Sequence, residues 1–290
     1  MYPAPFDYSA PTTLEEATAL LAELGDEGRV LAGGQSLLPM MKLRLASPTH
    51  LVDINRIPGL DRIEQVNGHI QIGALVRHAD VVASQEINDA SPLIASTAPW
   101  VADPLVRNRG TLCKSVAHCD PEGDWNSVML ALGAEVVATS RSGEHVIPIE
   151  EFVVDYFTNS LQSGEMVTAV RVPRADAGTG GAYLKLERKV GDYATVGVAT
   201  HLRMEGGTIV EAGIGLTSVG PRNIKAREAE AMLVGQAPSP ELFAEAARAA
   251  AAASDPASDV RGPAEYKRAV VEAYVRRGLE TCLGQISEEG

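Results

Sequence analysis

The stretch "PRADAGTGGAYLK", from Pro173 to Lys185, divides this chain into two unlike halves. Before it, short helical and strand patterns alternate; after it, the pattern turns regularly antiparallel. A proline followed by glycine, alanine and threonine reads as a linker, which puts a domain boundary near Asp176. Beyond it, "AYLKLERK", "TVGVATHLRME" and "GTIVEAGIGLTSVG" predict three strands, the last two turning at Gly206-Gly207. Helices are expected from Ala226 to Leu233, from Pro240 to about Ala253, and from Glu265 to Leu283. The alanine run "AEAARAAAAAS" combines strong helix propensity with little bulk, which suits close packing.

Upstream, "TLEEATALLAEL" sets Thr13 and Glu16 at capping-box spacing before a helical apolar period, and Gly25 supplies the stop. "GRVLAGGQSLLPMMKLRLA" reads as a strand to Ala32, a glycine turn and a brief helix beginning near Ser36. "HLVDI" is a further strand, and "IEQVNGHIQIGALV" is a hairpin whose Asn67-Gly68 pair suits a type I′ turn. Glu135 to Ala138, His145 to Ile149 and Met166 to Val172 complete the strands, the first two joined around Ser142-Gly143. No internal repeat is present. Helices and strands are therefore mixed throughout, and 290 residues at 45% hydrophobic content bury a substantial core.

Charge and composition exclude several functions. A formal net charge of −13 repels phosphate backbones and argues against a nucleic-acid partner. No apolar run approaches the roughly 20 residues of a membrane span, and "MYPAPFDYSAP" has neither the basic start nor the apolar core of a signal peptide, so a cytoplasmic location is expected. Cys113, Cys119 and Cys282 are too few and of odd number for a disulfide framework, which makes reduced thiols the expectation.

Three stretches carry chemistry. In "LAGGQS", Gly33 and Gly34 stand between a strand end and a helix start, where backbone N–H groups favour an anion, although an ordinary tight turn has the same look. There is no GxGxxG, so a Rossmann site is not supported. In "RNRGTLCKSVAHCDPEGD", Gly110 and Thr111 offer N–H groups and a hydroxyl, Ser115 another hydroxyl, and Asp120 a carboxylate that accepts from ribose or ribityl hydroxyls; the alternative is a solvated loop ending in an Asp-Pro turn. Cys113, His118, Cys119 and Asp120 invite a zinc reading, but adjacent His and Cys do not both face one ion and no CxxC spacing exists. In "KLERKVGDYATVGVA", Lys185 and Arg188 precede a turn at Gly191 followed by Asp192 and Tyr193, an aromatic ring able to lie against a planar heterocycle or simply to pack.

Taken together, "AGGQSLLPMMKLRLA", "LVDI", "IGALVRHADV", "RNRGT", "AHCDPEGD" and "GDYATVGVA" follow the order found in the FAD-binding medium subunits of the molybdenum hydroxylases, the xanthine oxidase family. Over nearly its full length the chain resembles that family, and within it the carbon monoxide dehydrogenase branch. The resemblance implies an α+β fold with a PCMH-type FAD-binding region over residues 1–175, built of two α+β subdomains of about 1–56 and 57–175. It implies a C-terminal domain over 176–290 with a three-stranded antiparallel sheet and a helical bundle. Ala32, Gly33, Gly34, Gln35 and Ser36 match the first FAD loop. Gly110, Thr111, Leu112, Lys114 and Ser115 fall on the second. Asp120 matches the aspartate after it, Lys185 a basic residue near the flavin and Tyr193 the aromatic residue near the isoalloxazine.

The partners implied are a large molybdenum-cofactor subunit that oxidises the substrate and a small subunit with two 2Fe-2S clusters, assembled as a dimer of heterotrimers. Electrons then pass through FAD to an external acceptor such as a quinone, in the cytoplasm or at the inner face of the membrane through the partners. One departure stands out. The family's second loop reads Thr-Ile-Gly-Gly, whereas this chain has Thr111-Leu112-Cys113-Lys114. If either lost glycine needed a left-handed φ, a side chain there would cost roughly 1 to 2 kcal/mol; the lysine, conversely, brings a cation to a pyrophosphate. An adapted FAD site and a weakened one that leaves a scaffold subunit both remain open, and a stand-alone flavin oxidase lacks any visible acid/base set.

Overall fold

The computed structural model of the chain describes residues 2–288. It begins with a parallel three-stranded sheet in which His50–Asp53 lies between Asp7–Ser9 and Gly28–Leu31. Helix Leu14–Leu24 covers it and starts as expected: Thr13 Oγ1 accepts from Glu16 N–H at 3.2 Å. The reciprocal contact shifts by one residue, Glu16 Oε2 accepting from Thr12 N–H at 2.9 Å. Gly25 closes the helix at φ +54°. After Gly28–Leu31 the chain turns through the first glycine loop into helix Leu37–Lys42.

A second, antiparallel sheet has the order Ile63–Val66, His69–Gly73, Met166–Pro173, Glu135–Ser140, Gly143–Pro148. The hairpin at its edge turns on Asn67 and Gly68, both at positive φ (+50° and +80°), as a type I′ turn requires. Between its strands runs a chain of short helices that the sequence pattern did not disclose: His78–Ala83, Gln85–Ala90, Pro92–Thr97, Pro104–Arg107, Leu112–His118 and Asp124–Leu132. Their starts are nonetheless written locally. Ser84, Ser91 and Asp103 each accept from a backbone N–H three residues on, and Pro92 and Pro104 occupy first-turn positions.

The C-terminal sheet corrects one expectation. Thr179–Leu186, Val196–Glu205 and Thr208–Thr217 are antiparallel neighbours as foreseen, but a fourth strand, Ile224–Lys225, extends the order beyond three. Two residues of ladder are too few to leave an alternating signature. Helices Arg227–Leu233, Pro240–Ala253 and Ala264–Glu288 pack on this sheet, and Ala246, Ala247 and Ala250 are buried, so the alanine run allows a close approach.

Helix Asp124–Leu132 joins the two halves. All nine of its residues are buried. The glycines of Thr208–Thr217 lie against its backbone: a Cβ on Gly213 would run into the Ala131 carbonyl oxygen, and one on Gly215 into that of Ser127. Tyr183 and Ala199 from the C-terminal sheet belong to the same apolar cluster as Trp125 and Phe152. No helix among the described residues is long and apolar enough to cross a membrane.

Candidate cofactor site

A cleft of about 730 Å³ opens where the parallel sheet, the short helices and the edge of the C-terminal sheet meet. That size is typical of pockets for small molecules and cofactors. Its wall includes Ala32, Gly33, Gly34, Gln35 and Ser36 from the first loop, Gly110, Thr111, Lys114 and Ser115 from the second, and Lys185 and Tyr193 from the C-terminal half. The fold thus brings together in one cleft residues read from three separate stretches.

The two loops touch through backbone. A Cβ on Gly33 would run into the Arg109 carbonyl oxygen and lie 2.8 Å from Gly110 Cα. Gly34 has a different reason to be glycine, its φ of +74°. A polar tether holds the pair in place. Asn55 Nδ2 donates to the Ala32 carbonyl at 2.9 Å, and the Arg77 guanidinium donates to Asn55 Oδ1 and to the Arg109 carbonyl, both at 2.6 Å. Asn55 lies outside every motif quoted above, and Arg77 falls within "IGALVRHADV" without having been given a role there.

Gly110 packs on His78, whose ring a Cβ would approach to 2.9 Å, and His78 N–H donates to the Gly110 carbonyl at 3.0 Å. Trp125 Nε1–H donates to His78 Nδ1 at 3.2 Å, so the neutral ring carries its proton on Nε2. Burial, with Arg107 and Arg77 nearby, pushes His78 down to about 4 and keeps it neutral. His78 lines the cleft and was not singled out from the sequence. The same holds for Met40, Asp124 and the segment from Phe157 to Glu165, whose roles depend on contacts remote in sequence.

The second loop is not a loop beyond Thr111. Leu112–His118 is an α-helix with Thr111 as its N-cap. Cys113 and Lys114 therefore have ordinary helical backbone, and neither is at positive φ. The strain anticipated for a side chain at a left-handed position does not arise. The two replacements also point to opposite sides. Cys113 is buried away from the cleft, its Sγ–H donating to the Ile72 carbonyl at 3.1 Å, and burial pushes its thiol up to about 12. It is a packing residue. Lys114 lies on the cleft wall, half-buried, and burial pushes its ammonium down to about 8.

Two sequence-predicted residues lie off the wall. The Leu112 side chain is in the core. Asp120 turns its carboxylate onto its own backbone, Oδ1 accepting from Glu122 N–H at 3.0 Å, and burial raises its pKa. His118 stacks at a tilt on Phe157, with centroids 4.8 Å apart, whereas Cys119 is buried with its Sγ–H directed to the Val116 carbonyl.

Lys185 reaches the cleft with its charge already matched. Its Nζ donates to Asp124 Oδ2 and to the Trp100 carbonyl, both at 3.1 Å, with Glu187 at 3.7 Å. Tyr183 Oη–H donates to Asp124 Oδ1 at 2.6 Å. Burial raises the Asp124 carboxyl even so, opposed chiefly by Lys185. Tyr193 stands at the rim with its ring half exposed, and burial together with the neighbouring Asp120 pushes its hydroxyl up to about 12, so it stays protonated.

Comparison with known proteins accounts for this arrangement. Residues 4–175 match the family model of the FAD binding domain in molybdopterin dehydrogenase, and residues 181–282 match the CO dehydrogenase flavoprotein C-terminal domain. The carbon monoxide dehydrogenase medium chain of Hydrogenophaga pseudoflava is 41% identical, over 97% of this chain and 98% of its own. The alpha subunit of the 6-hydroxypseudooxynicotine dehydrogenase complex of Paenarthrobacter nicotinovorans is 40% identical, over 98% and 96%. In a solved carbon monoxide dehydrogenase of Hydrogenophaga pseudoflava, one chain superposes with a TM-score of 0.95 at 43% identity, covering 98% of this chain and 99% of that one. The cleft built by two interlocked glycine loops, with these matches along both halves, makes the chain an oxidoreductase subunit that belongs to the FAD-binding medium-chain family of the molybdenum hydroxylases.

Proposed function

We propose that the chain is the flavoprotein subunit of a carbon monoxide dehydrogenase complex, working between a small 2Fe-2S subunit and an external acceptor such as a quinone. A large molybdenum subunit would oxidise the substrate, with the three assembled as a dimer of heterotrimers at the cytoplasmic side. The observation that carries the reading is the contact of Gly33 with Arg109 and Gly110, a backbone cradle that a single Cβ would fill. The fit to FAD gains support from the buried Thr111 hydroxyl, which has no partner of its own on the wall of the cleft.

FAD, when bound, supplies a centre that takes and returns electrons. The protein's task is to hold and shield it. Gly33, Gly34, Gly110 and Thr111 would hold the pyrophosphate. Lys185 would present a cationic side chain whose orientation is locked by Asp124 and Trp100. His78 would offer a permanent N–H donor, since its ring does not charge at neutral pH. Tyr193 would cover one side of the ring system without donating a proton, given its raised pKa.

Replacing Tyr193 with phenylalanine should leave flavin content unchanged, whereas alanine should weaken binding by about two- to tenfold, the worth of one aromatic contact. An unaltered flavin spectrum and affinity in the alanine variant would remove Tyr193 from the site. The whole reading is tested by purifying the complex, releasing its cofactor for mass analysis and following acceptor reduction with CO. One FAD per medium chain and CO-dependent reduction are expected; a flavin-free complex would leave a scaffold subunit. A second reading rests on the 40% identity to the 6-hydroxypseudooxynicotine dehydrogenase subunit. It keeps the flavin role and replaces CO by an N-heterocyclic substrate, which the same assay distinguishes.

A further inference from the structure

Lys114 is a cation without an anion. Among the described residues no carboxylate lies within ion-pairing distance of its Nζ, although the chain as a whole carries a net charge of −13. The neighbour that would favour its charge is Cys113, a thiol that stays protonated to about 12. His118, one turn along the same helix, feels the lysine as a repulsive charge and is itself pushed down. Of the other acidic residues on the cleft wall, Glu122 pairs with Arg261, Glu165 lies 3.7 Å from His145, and Asp124 is committed to Lys185. A half-buried ammonium with no counter-charge is less favourable than one left fully in water.

Next to it is a second unmet group. Thr111 is 2% exposed, lines the same cleft, makes no capping bond to its helix and leaves Oγ1 without any partner. A hydroxyl and an ammonium, three residues apart on one helical turn, line the same cleft as Gly33, Gly34 and Gly110. Together they have the chemistry of a receptor for a polyanionic oxygen group.

We propose that Lys114 and Thr111 form a charge-based clamp for the diphosphate of the cofactor. The inference rests on the flavoprotein reading above and goes beyond it. It says that cofactor retention here depends on a titratable side chain, so that affinity varies with salt and pH. It also says that the lysine is kept at the expense of the empty protein's stability.

The test uses the flavin-stripped full chain and its Lys114→Met variant, with FAD titrated by fluorescence quenching and unfolding followed by thermal melting. Loss of a charge-assisted contact should weaken FAD binding by about tenfold or more at pH 7 and low salt. The deficit should shrink as salt rises and as the pH passes above about 8, where the wild-type ammonium itself deprotonates. The empty variant should melt higher than the empty wild type, because an uncompensated charge has gone. The sign follows from linkage. Between about 8 and the ordinary lysine value the unfolded chain holds a proton that the folded one does not, so wild-type stability should gain on the variant's as pH rises through that window.

Lys114→Arg should restore both affinity and its salt dependence, and it covers the case in which methionine disturbs the fold. Inorganic pyrophosphate should raise the melting temperature of the wild type but not of Lys114→Met. A methionine variant that matches wild type in FAD affinity, salt dependence and pyrophosphate response would overturn the clamp and leave the flavoprotein reading standing. A wild type that binds pyrophosphate through Lys114 but takes up no FAD would overturn that reading and keep the clamp.

Discussion

Replacing Lys185 with methionine is expected to lower the stability of the chain by about 3–5 kcal/mol at pH 7, the cost of removing one member of a buried ion pair. The side chain is 1% exposed, and what it leaves behind is severe: the carboxylate of Asp124, 8% exposed, with Glu187 close by. Tyr183 still donates to Asp124 but brings no charge. The variant's Asp124 will then ionise with difficulty, and its folded pKa will move further above the unfolded one. A carboxyl raised in the folded state costs stability as pH rises through the ordinary carboxylate range, so the loss should be smaller at pH 4 than at pH 7. Denaturant midpoints at the two pH values check this, and Lys185→Met combined with Asp124→Asn should recover much of the deficit. A deficit independent of pH would mean that packing of the lysine stem, not its charge, is what the site needs.

Gly33→Val should be the most damaging single change to the cleft, and more so than Gly34→Ala. Gly34 is the position at positive φ, where alanine costs on the order of 1–2 kcal/mol in backbone strain. At Gly33 the objection is space. The atoms a side chain would meet, Arg109 O and Gly110 Cα, are backbone of the opposite loop and cannot rotate away. That loop is further held by Arg77 and Asn55, so relief requires the two halves of the cradle to part. Overpacking of this kind costs about 1–3 kcal/mol, and because the parted surfaces are those proposed to hold the pyrophosphate, flavin affinity should fall by about tenfold or more. Flavin content after gel filtration, measured beside melting temperature for both variants, tests the order. If Gly34→Ala loses more flavin than Gly33→Val, the interlock of the loops is not what shapes the site.

What the sequence disclosed, and what it withheld, follows the range of the interactions involved. Thr13, Gly25 and the Asn67-Gly68 turn act on their own neighbours, and each was legible. The glycine loop after Leu31 was legible too, because a strand, two glycines and a helix start lie within a few residues. Helix Asp124–Leu132 left no amphipathic period, since every one of its faces is buried. Leu112–His118 carries no helical signature, because Thr111 does not cap it through its side chain and its residues are mixed in polarity. With the helix unseen, the sides to which Cys113 and Lys114 point were unknowable, as was the partner of Lys185. Asn55, Arg77 and His78 act across more than twenty residues of chain, through contacts that no local pattern encodes.

The burial of helix Asp124–Leu132 between two halves matched by separate family models has a consequence for how such a protein can change over time. Its first residue neutralises a lysine on the cleft wall, and its later turns rest on Gly213 and Gly215 of the opposite sheet. The two halves look like interchangeable parts in sequence, yet neither has a free surface at this seam. A graft of one half from a relative would have to bring with it a matching stripe of glycines and a matching counter-charge. Drift at Gly213 and Gly215 is thereby held in step with the electrostatics of a cleft that neither of them lines.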